Sequence, residues 1–458
     1  MSNPINASIS LVDGHGATHE VSAQMQQLRK ISTGLILLSA ALFAAALFGW
    51  RLGGWVGFFS VFGPITVGTI GHIVATYSGT VPGIKNNGTM TDGTKSRGTV
   101  GIILGVVITT LYVMLYWHGS SLSGAIALVE PLGKLLNGKG ADQWFLYGTL
   151  YTFGVVLMGV RMIFRYRHNK YQIFRTLSVM FFQLGFGFLI PQFLKLMSQP
   201  EFYFTYFWPL KYNYLFPNDI KWLMEQPGGL GTFMVFWGIA ASFILTPLLT
   251  WYFGKRWYCS WVCGCGGLAE TAGDPFRHLS DKSIKAWRFE RWAIHLVLVS
   301  ITVVTLVIWI NSYTEGKVLG DFSQAASKTY GFLVGAMLSG VVGVGFYPLM
   351  GSRVWCRFFC PMAAILGLGQ RFFSRFRITT NGGQCISCGN CSTYCEMGID
   401  VRKYAQKGEN IVRASCVGCG ICAAVCPRGV LKLENGKVSD RFDGADAPLS
   451  ELIKSLKS

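Results

Sequence analysis

Eight apolar runs constrain this chain more than any other feature of its sequence. They fall at about 32–50, 54–78, 100–118, 144–164, 176–196, 229–252, 293–310 and 331–350. Each is long enough to cross the hydrocarbon core of a bilayer, which takes roughly 20 residues of helix. Such segments must satisfy their backbone N–H and C=O groups internally, so they are helices. Composition agrees: 51% of the 458 residues are hydrophobic and only 14% are charged. The expected fold is therefore mainly α, a polytopic membrane helical bundle of about eight spans. Residues 1–31 are polar and show no cleavable-signal pattern, so they are expected to form a cytoplasmic N-terminal arm.

Eight spans put both ends of the bundle's chain on one side. Outside the C-terminal region, 22 Lys and Arg residues fall on that side and 8 on the other, while acidic residues divide 7 and 7. The positive-inside rule then puts both termini, and all 13 cysteines, on the cytoplasmic side of a bacterial inner membrane. The same bias accounts for most of the net charge of +18 as topology and lipid-headgroup contact. Nothing in the chain resembles a groove-reading or base-stacking module, so nucleic acid is not an expected partner.

The cysteines all lie after residue 258, in tight groups, which points to cofactor ligation and away from scattered disulfides. Cys385, Cys388, Cys391 and Cys395 are spaced C-x2-C-x2-C-x3-C, and Cys416, Cys419, Cys422 and Cys426 repeat that spacing, followed by Pro427. This is the bacterial ferredoxin spacing for two [4Fe–4S] clusters, in which the fourth cysteine of each run reaches the other cluster. On that pattern Cys385, Cys388, Cys391 and Cys426 hold one cluster, and Cys416, Cys419, Cys422 and Cys395 hold the other. Gly389, Gly418 and Gly420 suit backbone that curls tightly and points N–H groups at sulfur. Zinc knuckles instead pair two cysteines with a distant second pair. Glu396 stands where a proline often follows the first run. Residues 378–440 are thus expected to form an α+β 2[4Fe–4S] ferredoxin domain, with 441–458 as a tail that could end in a short amphipathic helix.

A second set of cysteines sits beside the sixth and eighth runs. Cys259, Cys263 and Cys265 lie in RWYCSWVCGCGG, and Cys356 and Cys360 in RVWCRFFCP. Two C-x3-C pairs from two helix ends could supply four thiolates to one centre. A third [4Fe–4S] cluster is the first reading, and tetrathiolate zinc is the plain structural one. Redox-active dithiols, transient Cu(I) ligands and inert buried thiols are the other readings. Lys255, Arg256, Arg353 and Arg357 would favour thiolates here. Cys265 is left over in each scheme.

On these motifs, residues 170–458 resemble the membrane-bound polyferredoxins of the NosR/NapH type and the related copper-reducing maturation factors of haem–copper oxidase. The matching features are the paired C-x3-C motifs, GSRVWCRFFCPMAAILGLGQR and the tandem ferredoxin runs. The first C-x3-C departs from the family's C-x3-C-P pattern, reading Cys263-Gly264-Cys265-Gly266. The resemblance implies respiratory electron transfer, with other respiratory-complex subunits and quinone as partners. It divides the membrane part into an N-terminal region, 32–165, without a counterpart, and a polyferredoxin-type region, 166–377. The expected function is electron transfer between a cytoplasmic or quinone-linked donor and a membrane or periplasmic acceptor. A metal (copper) reductase or maturation factor is the alternative. An ion-coupled redox transporter is a further one, but paired charges would mark it, and these spans hold almost none.

Other features carry less. The aromatic stretch EFYFTYFWPLKYNYLF, within 197–228, reads as an interfacial Trp/Tyr belt, with a docking surface as the second reading. Gly101-x3-Gly105 and Gly331-x3-Gly335 suit close helix packing. His72 and His295 lie in spans toward the same side, and a bis-histidine haem would need them to face each other. A helix-to-helix hydrogen bond explains each as well, and haem is not expected.

Overall fold

The computed structural model describes residues 11–12, 18–19, 23–50, 53–78 and 98–435. Most of the expected arm, nearly all of the loop at 79–99 and the tail beyond 435 lie outside the described residues. Eight helices are long and apolar enough to cross a membrane: Ala23–Leu47, Gly54–Tyr77, Thr99–Trp117, Gln143–Arg165, Lys170–Leu196, Leu230–Phe253, Ile284–Tyr313 and Gly320–Val342. The chain is a multi-pass, mainly helical membrane protein.

Several helix ends differ from the apolar runs. The first span starts at Ala23, inside the stretch expected as an arm, the seventh starts at Ile284, and the eighth covers Gly320–Val342. Apolar periodicity reports only the part of a helix in hydrocarbon, whereas backbone hydrogen bonding continues into the headgroup region. The seventh span shows why: Ser283 Oγ accepts from Ala286 N at 3.2 Å, capping a helix whose first turns carry Lys285, Arg288 and Arg291. Pro64 is absorbed within the second span, which is helical from Gly54 to Tyr77. A further helix, Ser123–Asn137, is too short to cross and packs against the second and fifth spans. Asn137 Nδ2 donates to Gln192 Oε1 there at 2.9 Å.

The aromatic stretch after the fifth span is not a surface belt. Phe202, Phe207 and Tyr214 are almost fully buried. Tyr258 Oη donates to Thr205 O at 2.6 Å, and Trp208 Nε1 donates to Thr305 Oγ1 at 3.3 Å. The segment therefore folds into the bundle and reaches the residue before Cys259. Irregular backbone is tolerated at such a place only when protein groups satisfy it. Two indoles do so: Trp237 Nε1 donates to Phe204 O at 2.9 Å, and Trp309 Nε1 to Leu215 O at 2.8 Å.

The glycines of the eighth span pack against rings more than against a helix backbone. A Cβ at Gly331 would lie 2.6 Å from Tyr212 Oη, and one at Gly340 would lie 2.8 Å from Tyr112. Three spans contain π-helical stretches, at Phe182–Leu189, Ala241–Leu245 and Gly331–Val342. Such stretches rotate the side chains that follow and often mark functional sites.

The ferredoxin domain pairs strand Arg377–Thr380 with strand Leu431–Glu434, antiparallel, around short helices Asn390–Thr393, Val401–Lys407 and Ile421–Ala424. It is seated on one end of the bundle, held largely by its backbone. Tyr171 Oη donates to Gly418 O at 2.8 Å, Gln172 Nε2 to Cys419 O at 2.8 Å, Ser260 Oγ to Val417 O at 2.8 Å and Gln370 Nε2 to Cys416 O at 2.7 Å. Four membrane-region side chains thus grip four consecutive carbonyls of the second cysteine run. Buried residues of both C-x3-C motifs and of this domain share one continuous core.

Candidate metal centres

Two cavities inside the ferredoxin domain sort its eight cysteines. One, of about 360 Å³, is lined by Cys385, Cys388, Cys391 and Cys426. The other, of about 370 Å³, is lined by Cys395, Cys416, Cys419 and Cys422. The last cysteine of each run lines the other run's cavity. Left-handed backbone makes the turns possible: Gly389, Gly418 and Gly420 have φ of 80°, 63° and 74°. The Ile399 N–H points at Cys395 Sγ at 3.4 Å, as N–H groups do toward cluster sulfur.

The two C-x3-C motifs converge. Cys259 ends the helix Arg256–Cys259, and Cys263 caps the helix Gly264–Glu270. Cys356 lies in the π-helical turn Trp355–Phe359, and Cys360 caps the helix Pro361–Phe372, its Sγ accepting from Ala363 N at 3.4 Å. All four are buried in one core. Burial pushes the Cys259 thiol up to about 12, with Cys356 and Cys263 adding to the rise and Lys255 and Arg353 opposing it. Burial likewise raises Cys360, and Cys356, Cys259 and Cys263 raise it further. Four thiols that perturb one another share one neighbourhood. Among the described residues, no three His, Cys, Asp or Glu side chains close on a point that would hold a single metal ion. None of the 13 cysteines is in a disulfide.

Two of the four expected basic neighbours serve this group. Lys255 is fully buried, and Arg353 Nη1 reaches Cys356 Sγ at 3.7 Å and Cys259 O at 3.2 Å. The other two are engaged elsewhere. Arg256 stacks on Phe376 and donates to Asn435 Oδ1 at 2.8 Å, and Arg357 donates to Glu290 Oε2 at 2.8 Å.

Cys265 touches this group, its side chain hydrogen-bonded to that of Cys263. It also lines a cavity of about 1720 Å³. Tyr147, Tyr151, Tyr203 and Tyr206 line it, with Gln183 and Gly335 from two of the π-helical stretches. Lys211 and Glu201, from the folded-in aromatic stretch, line it as well. His72 Nδ1 lies 3.4 Å from Thr33 Oγ1 of the neighbouring helix, while His295 lines a separate basic cavity. Among the described residues, the two histidines share no hydrogen-bond partner.

A charged network missed in the sequence joins these places. Asp274 pairs with Arg161 at 2.7 Å, with Arg277 at 3.2 Å and with Arg165. Glu270 pairs with Arg175 at 2.6 Å and Arg353 at 2.7 Å. Glu396 pairs with Arg277 at 2.6 Å and Arg353 at 3.0 Å. Every member is nearly or completely buried. Burial alone would raise the Glu396 carboxyl, but Arg277, Arg353 and Arg175 outweigh it and hold it below its usual range. Five of the cations counted for topology are therefore structural and do not meet lipid headgroups. The one sequence signal was Glu396 itself, at a position where proline is usual.

Two family models fall on these same segments. A 4Fe–4S dicluster domain model matches residues 384–431, and a 4Fe–4S binding domain model matches residues 235–283 and 333–379. The chain therefore carries 4Fe–4S ferredoxin-type domains, and the second model covers both C-x3-C motifs. The "Putative electron transport protein YccM" of Escherichia coli strain K12 is 27% identical over 178 residues, 37% of this chain and 48% of the relative. An uncharacterized protein of Methanocaldococcus jannaschii is 24% identical over 166 residues, 35% of this chain and 59% of the relative. The match thus spans about half the length of these curated relatives. No solved structure matches the chain.

Proposed function

We propose that this protein is a membrane-anchored iron–sulfur electron-transfer protein of a respiratory chain, with three thiolate groups in series. The carrying observation is the continuous core that joins the two four-cysteine cavities of the ferredoxin domain to the four converging thiols Cys259, Cys263, Cys356 and Cys360. Cys385, Cys388, Cys391 and Cys426 would hold the outermost [4Fe–4S] cluster, and Cys395, Cys416, Cys419 and Cys422 the next. The C-x3-C thiols would hold a third. When bound, such clusters supply one-electron redox chemistry.

The rest is the work of this chain's residues. Burial raises the Cys416, Cys259 and Cys356 thiols, and the Lys255 ammonium, near all three, opposes that rise. Its charge, with that of Arg353, offsets negative charge on thiolates taken out of water. Burial of the inner thiols excludes water from them, and the carbonyl grips on Gly418 and Cys419 keep the two domains in one register. The positive-inside bias puts the ferredoxin domain and both termini in the cytoplasm of a bacterial inner membrane. A cytoplasmic donor would meet the exposed Cys388 end, and a quinone-linked or periplasmic partner would approach through the tyrosine-lined cavity.

Iron and acid-labile sulfide counting on purified protein tests this reading. Wild type should carry about 12 irons per chain and Cys356→Ser about 8. About 8 in both would remove the third cluster, and bound zinc without labile sulfide would remove the redox reading. One observation favours a second reading, a copper-reducing maturation factor: Cys265 lines the large cavity beside Cys263, and soft thiolates suit Cu(I). Loss of Cu(I) binding in Cys265→Ser would support it.

A further inference from the structure

A second large cavity, of about 1900 Å³, lies where the seventh span begins, between the helix Pro361–Phe372 and the ferredoxin domain. Its lining is strongly basic. Arg288 and Arg291 come from the first turns of the seventh span, Arg371 from the end of Pro361–Phe372, and Arg413 from the ferredoxin domain. The carboxylate in the lining, Glu290, is already bound to Arg357 at 2.8 Å. Among the described residues, no carboxylate pairs with Arg288, Arg291, Arg371 or Arg413. Like charges collected around one space repel, and they stay collected when an anion neutralises them.

The cavity's surroundings identify the anion's setting. Trp287 has guanidiniums against its ring from two domains, Arg291 at 5.3 Å and Arg413 at 5.0 Å. Trp292 and Phe372 also line the cavity and are largely exposed, at 81% and 73%. Tryptophan and arginine at the end of an apolar helix mark headgroup depth in a bilayer. Basic pockets between helix ends at that depth suit anionic lipid headgroups. A water-facing phosphate site would not need exposed indole and phenyl groups beside it.

We infer that this cavity binds the phosphate of an anionic phospholipid, which seats the ferredoxin domain against the foot of the seventh span. The phosphate takes the four guanidiniums, the acyl chains run along the exposed aromatic side, and Arg413 carries the contact to the cluster-bearing domain. The inference is independent of what the cysteines ligate.

The test is native mass spectrometry of the full-length holoprotein in mild detergent, titrated with phosphatidylglycerol or with phosphatidylcholine of the same chain length. Wild type should retain phosphatidylglycerol about 10-fold more strongly or better, since each basic group at a membrane surface contributes appreciably. Arg288→Gln/Arg291→Gln/Arg371→Gln should lose that preference with its iron content unchanged. If the triple variant loses iron, Arg413→Gln replaces it and should lose about half of the preference on a logarithmic scale. Inorganic phosphate and glycerol phosphate at millimolar concentration should not displace the lipid. Equal retention of both lipids, or unchanged preference in an intact variant, overturns the inference. Displacement by inorganic phosphate alone would assign the site to a soluble phosphate and overturn it equally.

Discussion

Arg353 and Glu396 form a fully buried ion pair at 3.0 Å that connects the membrane motif to the ferredoxin domain. Arg353 lies three residues before Cys356 and contacts its sulfur, and Glu396 directly follows Cys395. Arg277 repeats the arrangement, pairing with Glu396 at 2.6 Å and reaching Cys419 Sγ at 3.9 Å. One carboxylate therefore holds two guanidiniums, each in contact with a cysteine of a different group.

Replacing that carboxylate should loosen the domain joint. Glu396→Gln removes one of two carboxylates from each of Arg353 and Arg277, which keep Glu270 and Asp274, so the cost is at most about the 3–5 kcal/mol of a fully broken buried pair. Limited proteolysis should cut residues 378–435 faster in the variant than in wild type, and Glu396→Asp should restore part of the protection. Equal cutting rates in Glu396→Gln and wild type would show that the pair does not hold the joint.

Asp274 gives the joint a pH dependence with a definite sign. Burial would raise its carboxyl, but Arg165, Arg161 and Arg277 outweigh burial and hold it well below the usual carboxylate range. A depressed folded-state pKa adds stability above the unfolded value, about 4, and that stability fades as pH falls through the folded value. Resistance to thermal unfolding should therefore be insensitive to this group between about pH 5 and 8 and should decline only in stronger acid. Asp274→Asn should be less stable than wild type by about 3–5 kcal/mol at neutral pH. Identical melting of the two proteins at pH 7 would refute the assignment.

Cys265 should be separable in ligation from Cys263, to which its side chain is hydrogen-bonded. It faces the large tyrosine-lined cavity, whereas Cys259, Cys263, Cys356 and Cys360 are buried together. Cys265→Ser should keep the full wild-type iron and sulfide content. A small membrane-permeant maleimide should label Cys265 faster than the four buried thiols. Loss of about four irons on Cys265→Ser would instead make it a cluster ligand.

Much of this architecture is legible in the amino-acid order, because its causes are local. Apolar run length reports spans, since the bilayer imposes a fixed thickness on any helix. Cysteine spacing reports two four-thiol groups, since a tight turn around each fixes which sulfurs face inward. The helix ends at Ala23 and Ile284 were less legible, because the polar first turns of a membrane helix are held by backbone bonds that hydropathy does not sense.

The charged joint could not be read from the order of residues. Arg161, Arg175, Asp274, Arg353 and Glu396 are scattered along the chain, and each alone resembles an ordinary interfacial charge. Only the packing of the fourth and fifth spans against the two motif loops removes them from water, and removal from water is what makes their pairing obligatory. The aromatic stretch around Phe207 shows the same division. Its composition suits a headgroup belt, but the neighbouring helices leave room for it to fold inward, and Trp237 and Trp309 satisfy its carbonyls. The sequence by itself determined the spans and the cysteine sets. The tertiary structure decided that two C-x3-C motifs converge and that one buried carboxylate joins them to the ferredoxin domain, because convergence and burial are properties of distance in space.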